Sequence, residues 1–344
     1  MNVLAGLYGR AAAFRRAWYG RRPDRVRRLD RPVVSVGNLV AGGSGKTPLV
    51  ATLARLLRAA GERPAILSRG YGRRERPAGV VVVSDGERLL AGPAKSGDEP
   101  YMLACALPGV PVFVAPDRHL AGRLAEQQFA CTVHLLDDGF QHLQLARDID
   151  LLVVSRADLD EPLLPAGRLR EPLAAARVAD ALLVPGAEGD VEAVQQRIGV
   201  ETAFRVQAHA HAPRLLAAPD GTEIAPGSRP VVAVAGIARP ARFFAALRAQ
   251  GWEVARELVF RDHHWFTDRD IAAVERAAFE AGTTLVITTE KDAVRLTEAQ
   301  VRHEAAPLWA VLPLELVVEP GERFASWLAG RLAAARRRRI EAAA

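Results

Sequence analysis

Lysine is almost missing from this chain. Of 46 basic residues only Lys46, Lys95 and Lys291 are lysines, so arginine carries nearly all of the positive charge, and the lysines kept inside "GGSGKTP" and "TTEKDA" stand out against that background. Asparagine is scarcer still, with only Asn2 and Asn38, the second just ahead of that first lysine motif. The two cysteines, Cys105 and Cys131, are too few for a disulfide scaffold and too far apart for a zinc-knuckle spacing, which points to a reducing compartment. No run of about 18 apolar residues occurs, which excludes a membrane-spanning helix as the reading of any segment. The opening "MNVLAGLYGRAAAFRRAWYG" is broken by Arg10, Arg15 and Arg16 and lacks a small-x-small cleavage site, so a signal peptide is not expected. Aromatic residues make up 6%, with no aromatic-basic interleaved segment; a net charge of +6 alone is a weak argument for a nucleic-acid surface.

What is present is apolar content, 49% over 344 residues, enough for two medium cores. Short apolar runs ending in turn residues, "PVVSVGN", "PAILSRG", "GVVVVSDG", "VPVFVAP", "CTVHLLDDG", "DIDLLVVS" and "DALLVPG", alternate with helical patterns such as 48–60 and 119–128. Continuous apolar strands separated by helices predict a mostly parallel sheet covered on both faces, an α/β fold. Near 201–218 the pattern changes to isolated strands followed by the turn "APGSRP", and a second α/β series then begins at "VVAVAGI". The expected organisation is an N-terminal basic helix over 1–30, a large lobe over 31–200, a linker over 201–228, a smaller lobe over 229–335 and a basic tail over 336–344. In the first segment Leu4, Leu7, Ala11, Phe14 and Trp18 share a helical face, amid nine arginines and two aspartates across 1–31. Such a helix either docks on the protein's own core or lies at a membrane interface. The arginines at 336–339 read as a solvated tail or a second contact with anionic lipid.

The most informative stretch is "SVGNLVAGGSGKTPLV", 35–50. A strand, a glycine turn and a helix gather backbone N–H groups and the positive helix end around one anion, the physical content of a P-loop. Gly42, Gly43, Ser44 and Gly45 form the cradle, Lys46 supplies a point charge for the phosphates and Thr47 is placed for Mg²⁺. The first glycine of the usual pattern would fall at position 40, which is Val40. In "CTVHLLDDGFQH", Asp137 and Asp138 close an apolar run where a sheet's carboxyl edge would present them to a metal and phosphates; paired aspartates that merely cap a turn are the plain alternative. Phosphoryl transfer also needs a group for the acceptor's proton. Asp98 and Glu99 in "KSGDEPYMLA" either cap a helix or serve chemistry. Asp262, His263 and His264 in "FRDHHWF" form either a simple loop or a histidine oriented by a carboxylate, and lack the spacing of a zinc site.

Taken in order, "VSVGNLVAGGSGKTP", "SRGYG", "GDEP", "DDGFQH", "LPAGRLRE", the Asp-His of "FRDHHW" and "TTEKDA" resemble the tetraacyldisaccharide 4'-kinase family of Gram-negative bacteria, from about residue 3 to 330. That family also lacks the first P-loop glycine. The resemblance implies a P-loop NTPase-like fold of two α/β/α lobes with mostly parallel sheets joined by a two-stranded hairpin. It further implies an ATP- and Mg²⁺-dependent kinase at the cytoplasmic face of the inner membrane, acting on the 4'-hydroxyl of a tetraacylated glucosamine disaccharide 1-phosphate in lipid A synthesis. By motif, Lys46 and Thr47 meet ATP and Mg²⁺, Asp137 and Asp138 serve the metal and phosphate centre with Glu171 assisting, and Asp98 acts with His263, rather than His264, on the sugar hydroxyl. A substrate with four acyl chains stays in the bilayer, which gives the N-terminal helix a reason to seek the membrane. Lys291 and Asp292 either touch the adenine, help close the lobes or form a structural salt bridge. The competing class is a P-loop NTPase switch that binds nucleic acid through arginine; no nucleic-acid partner is expected.

Overall fold

A computed structural model describes residues 3–42, 45–216, 222–227, 229–301 and 307–343. The chain opens with α1 (Val3–Gly20) and then builds strands β1 (Val33–Asn38), β2 (Pro64–Ser68), β3 (Val81–Ser84), β4 (Val112–Val114), β5 (Val133–Asp137), β6 (Ile149–Val153), β7 (Ala181–Pro185) and β8 (Ala203–Ala210). Helices α2 (Lys46–Ala59), α3 (Pro93–Ser96), α4 (Asp98–Ala106), α5 (Arg118–Gln128) and α6 (Glu188–Ile198) connect them. The second series holds β9 (Arg214–Leu215), β10 (Val231–Ala235), α7 (Pro240–Ala249), β11 (Val254–Val259), α8 (Asp268–Glu280), β12 (Leu285–Thr289), α9 (Glu290–Ala293), α10 (Glu298–Val301) and β13 (Leu308–Leu312). Finally β14 (Leu314–Glu319) and α11 (Gly321–Ala343) return to the first series.

Two sheets result. The larger has the order β14-β8-β7-β6-β1-β5-β2-β4-β3 and is parallel except at its two edges; the smaller has the order β11-β10-β12-β13-β9, with only β9 antiparallel. Strands β1, β2, β5 and β6 are buried along their whole length, as expected for a parallel sheet with both faces covered. The side chains of α2, including Leu49, Val50, Leu53 and Leu57, join Val34, Val36, Ile66 and Leu135 of the sheet in one core. A separate core around Phe243, Phe244, Leu247 and Trp252 belongs to the smaller sheet.

The sequence-based boundaries need three corrections. The two strands that join the lobes are β8 and β14, paired antiparallel from Arg205 opposite Glu319 to Ala210 opposite Leu314, so a linker drawn over 201–228 contains only one of them. The smaller lobe likewise does not run to 335. Helix α11 lies on the larger lobe, where Phe324, Leu328 and Leu332 enter the same core as α2, and Phe324 meets Phe204 with ring centroids 5.0 Å apart. Nor are residues 336–343 a solvated tail: they are the last turns of α11, with Arg336 2.7 Å from Glu62 and Arg339 2.6 Å from Asp148. The local sequence ends in arginines, and only long-range partners reveal that half of them are docked.

Candidate active site

Asn38 ends β1, and Gly45, with φ of 79°, opens α2 at Lys46 in the left-handed conformation that a residue with a Cβ resists. Gly43 and Ser44 lie outside the described residues. Val40, where the usual motif has glycine, is buried and bridges Leu169, packed beside Leu39 and Phe140. The turn is thereby bound to 168–170, with Ala41 donating to the Arg168 carbonyl at 2.8 Å and Arg170 donating to that of Leu39 at 2.7 Å. A glycine at 40 would leave a hole in that core.

Strand β5 lies beside β1, so Asp137 and Asp138 emerge next to the glycine turn. Lys46 Nζ donates to Asn38 Oδ1 at 2.9 Å and stands 3.2 Å from Asp138 Oδ1, while Arg170 donates to Asp138 Oδ2 at 2.9 Å. Burial alone would raise the Asp138 pKa, but Lys46 and Arg170 outweigh it and hold the carboxyl below its usual range. Asp137 differs. It is pushed up by burial and then by the charges of Glu99 and Asp138, its Oδ2 receives only a 3.4 Å bond from Ser68, and its buried Oδ1 has no partner. An unmatched buried carboxylate oxygen calls for a cation. Thr47, buried on the first turn of α2, offers a hydroxyl on the P-loop side. Among the described residues no group of three or more acidic, histidine or cysteine side chains forms a complete metal site. Mg²⁺ needs only one or two carboxylates, its other positions going to phosphate and water. Glu171, next to the Arg170 that reaches Asp138, is buried with both its oxygens held by Arg16 of α1, at 2.6 and 2.9 Å, and Arg16 also lies over the Phe140 ring at 4.3 Å.

The second cluster lies where the lobes meet. Gly97 precedes α4 with φ of 89°, and a Cβ there would stand 2.7 Å from the Tyr71 carbonyl oxygen, so glycine is required for Asp98 to start the helix at this place. Asp98 Oδ2 accepts from Arg295 and lies 2.9 Å from His263 Nδ1. Lys291 Nζ is 3.1 Å from Asp262, 3.4 Å from Glu99, 3.9 Å from Asp98 and 3.2 Å from His263 Nε2. Burial pushes the Asp98 carboxyl up, but the His263 hydrogen bond and the charges of Arg295 and Lys291 outweigh it and hold the group well below the usual carboxylate range. With Nδ1 donating to Asp98, Nε2 becomes the basic nitrogen of His263. His263 itself sits at φ of 62°, a left-handed backbone unusual for histidine. His264 turns away: its Nε2 is 3.0 Å from Asp270, which caps α8, and its ring stacks on Phe260.

The two clusters share Glu99, whose charge reaches Asp137 on one side and Lys291 on the other. Lys291 thus sits in the lobe contact, and Asp292 is buried, accepting from the Gly236 N–H at 2.9 Å and Thr289 Oγ1 at 2.7 Å. Sequence reasoning missed Arg295. Its only trace was an acidic-basic pair three apart on a helical turn, Asp292 and Arg295, a spacing found on countless surfaces. It also missed Arg118, a deeply buried guanidinium whose Nη1 lies 3.2 Å from His142 Nδ1 and whose pKa is pulled down to about 10 by burial and then by Arg69.

Comparison with known proteins places these features in context. The family model for "Tetraacyldisaccharide-1-P 4'-kinase" matches residues 1–333. A tetraacyldisaccharide 4'-kinase of Geobacter metallireducens is 41% identical over 312 residues, covering 86% of this chain and 88% of its own. One from Syntrophus aciditrophicus is 38% identical over 345 residues, covering 94% and 90%. Among solved structures, LpxK from Aquifex aeolicus in complex with ATP is 32% identical with a TM-score of 0.75, covering 96% of this chain and 97% of that one.

Proposed function

Since the chain belongs to the tetraacyldisaccharide-1-P 4'-kinase family and is a kinase that phosphorylates the 4'-hydroxyl in lipid A synthesis, with ATP as donor and Mg²⁺, we propose a division of labour among its residues. The P-loop, Gly42 through Thr47, holds the nucleotide phosphates, with the Lys46 ammonium as the positive charge among them. Asp137 and the Thr47 hydroxyl would hold Mg²⁺, which would offset phosphate charge during transfer. The unpartnered Oδ1 of Asp137 supports that assignment. Asp138, already neutralised by Lys46 and Arg170, acts by fixing both cations. Glu171 contributes by fastening α1 through Arg16.

His263 receives the proton of the sugar hydroxyl at Nε2, and Asp98 orients the ring and stabilises the imidazolium that forms. The observation that carries this reading is the Asp98–His263 hydrogen bond, 2.9 Å long, made by a carboxylate too strongly ionised to be a useful base itself. In the present arrangement Lys291 donates to Nε2, so the hydroxyl takes the place of its ammonium, which keeps Asp262 and Glu99 as partners.

The partner surface is the membrane that holds the acylated substrate, at the cytoplasmic face of the inner membrane. Leu4, Leu7 and Phe14 of α1 are 63%, 57% and 70% exposed, so the apolar stripe does not serve the protein's own core. The opposite side of α1 does the docking, through Gly9 against Leu163 and Arg16 to Glu171, while Arg15 on the flank of the stripe donates to the Gln141 carbonyl. Basic side chains beside an anionic surface add on the order of 1 kcal/mol each. Among the described residues no helix is long and apolar enough to cross a membrane. The nucleic-acid switch is not favoured.

The test is transfer of labelled γ-phosphate from ATP to a tetraacyldisaccharide 1-phosphate in mixed micelles, with Lys46→Ala as the blank. Lys46-dependent label in the lipid is expected. ATP hydrolysis without labelled lipid would overturn the acceptor assignment.

A further inference from the structure

We propose that Arg295 is a positioning residue that assembles the Asp98–His263 pair, so that the pair exists only when the smaller lobe is docked. The inference rests on the role given above to that pair. The Arg295 side chain is 1% exposed and follows α9 in the smaller lobe. Its Nη1 is anchored within that lobe by three acceptors: Asp292 Oδ1 at 3.1 Å, the His264 carbonyl at 3.3 Å and the Gly236 carbonyl at 3.4 Å. Asp292 is in turn fixed by the Gly236 N–H and Thr289 Oγ1. The guanidinium is therefore oriented before it meets the larger lobe, and its other arm, Nη2, projects to Asp98.

One planar group thus touches one half of the pair and the residue that follows the other. Through Nη2 it holds the carboxylate, and through Nη1 it holds the backbone carbonyl of His264, the neighbour of the left-handed His263. A lysine has the charge but lacks the rigid fork that spans two such acceptors. Asp98 Oδ2 receives Arg295 and His263 together, both from the smaller lobe, whereas Asp98 belongs to α4 of the larger one. Separation of the lobes would strip the carboxylate of both partners at once and leave His263 without its orienting acceptor.

A scaffold role and a positioning role differ in their effect on the pH dependence of turnover. His263 faces Asp98 at the start of α4, Asp262 beside it, Lys291 on α9 and the Tyr71 ring 5.4 Å away, with Glu99 behind Lys291 and Arg295 behind Asp98. Removing the Arg295 charge leaves the Asp98 carboxylate less compensated, so it holds a proton on His263 more firmly. The acid limb of the kcat profile then moves to higher pH.

The experiment measures kcat and KM for ATP against pH for the full chain, with Arg295→Met and Arg295→Lys, each checked by circular dichroism and melting. Arg295→Met should lower kcat at pH 7 at least 30-fold, leave KM for ATP within about twofold, and raise the acid limb by about one pH unit, the low end of what one nearby charge does. Arg295→Lys should return the limb to its wild-type place while kcat stays at least about tenfold low, because the fork is missing. A wild-type kcat in the folded lysine variant overturns the proposal even if the methionine variant does not fold. So does a methionine variant whose limb has not moved and whose lost activity equals its unfolded fraction. Full activity in His263→Ala would instead remove the underlying reading of the pair, which separates the two failures.

Discussion

Replacing His263 by alanine should nearly stop turnover and leave the fold in place, whereas replacing Asp98 should harm both. The difference follows from what each side chain supports. The His263 side chain is 24% exposed, and when it is lost Asp98 keeps Arg295 as a partner. Asp98 is buried against two cations, and its loss leaves the buried Arg295 with Asp292 as its remaining carboxylate, a penalty of about 3–5 kcal/mol by analogy with other broken buried pairs. Asp98→Asn keeps the shape and is the better probe of charge. A general base contributes about 10²–10⁴ in rate, or about 2.7–5.5 kcal/mol of barrier at 1.36 kcal/mol per decade. Each single variant should therefore lose at least about 100-fold in kcat with KM for ATP unchanged. If the two residues act as one unit, the double variant should be no slower than the slower single, a coupling energy of roughly 3 kcal/mol. The assay is the initial rate of labelled phosphate transfer for the four proteins, each corrected for folded fraction. A His263→Ala enzyme within threefold of wild type, or rate losses that simply multiply in the double variant, would refute the reasoning.

Three further outcomes are expected. His142 is buried, and burial followed by the charges of Arg118 and Arg147 lowers its pKa to about 3, so between about 3 and 6.5 the unfolded chain binds a proton that the folded chain refuses. Stability should fall with falling pH across that window, by up to about 1.4 kcal/mol per pH unit from this residue; urea titrations of His142→Asn should show a flatter dependence, and an unchanged one would contradict the account. Truncation after Ala335, which removes the Arg336 and Arg339 ion pairs, should lower stability by about 1–3 kcal/mol; a melting temperature equal to wild type would return those residues to solvent. Leu7→Asp with Phe14→Asp should cut co-sedimentation with anionic vesicles at least about tenfold while leaving the melting curve intact, because burying such side chains is worth about 1.5–3 kcal/mol each. Equal sedimentation would remove the stripe from the membrane.

The features legible in the sequence are those whose signal is local. The strand-turn-helix around Lys46 and the aspartates at the end of β5 announce themselves in a dozen residues each, because a phosphate cradle and a sheet edge both need a short, particular run. Alternation of apolar runs with helices gave the two parallel sheets for the same reason. The lobe boundary was misread because β8 and β14 are more than a hundred residues apart, and pairing at that distance leaves no mark on either segment. Arg295 was invisible for a related reason: in a chain with 46 basic residues, of which all but three are arginine, burial sets Arg118 and Arg295 apart from the others, and burial is a tertiary property. Glu171 shows the converse, a motif residue whose partner, Arg16, lies in a segment read only for its membrane face.

Because Ala210 and Leu314 face each other across an antiparallel pair, the smaller lobe is topologically an insertion: the chain departs from one strand and re-enters on its immediate neighbour. Everything between could be replaced by a tight turn without leaving a loose end on the larger sheet. Such a miniature would keep the phosphate cradle and forfeit His263, Lys291 and Arg295 together. The donor machinery therefore lies wholly on one side of this doorway, whereas the acceptor machinery straddles it, Asp98 on the larger lobe and His263, Lys291 and Arg295 on the inserted one.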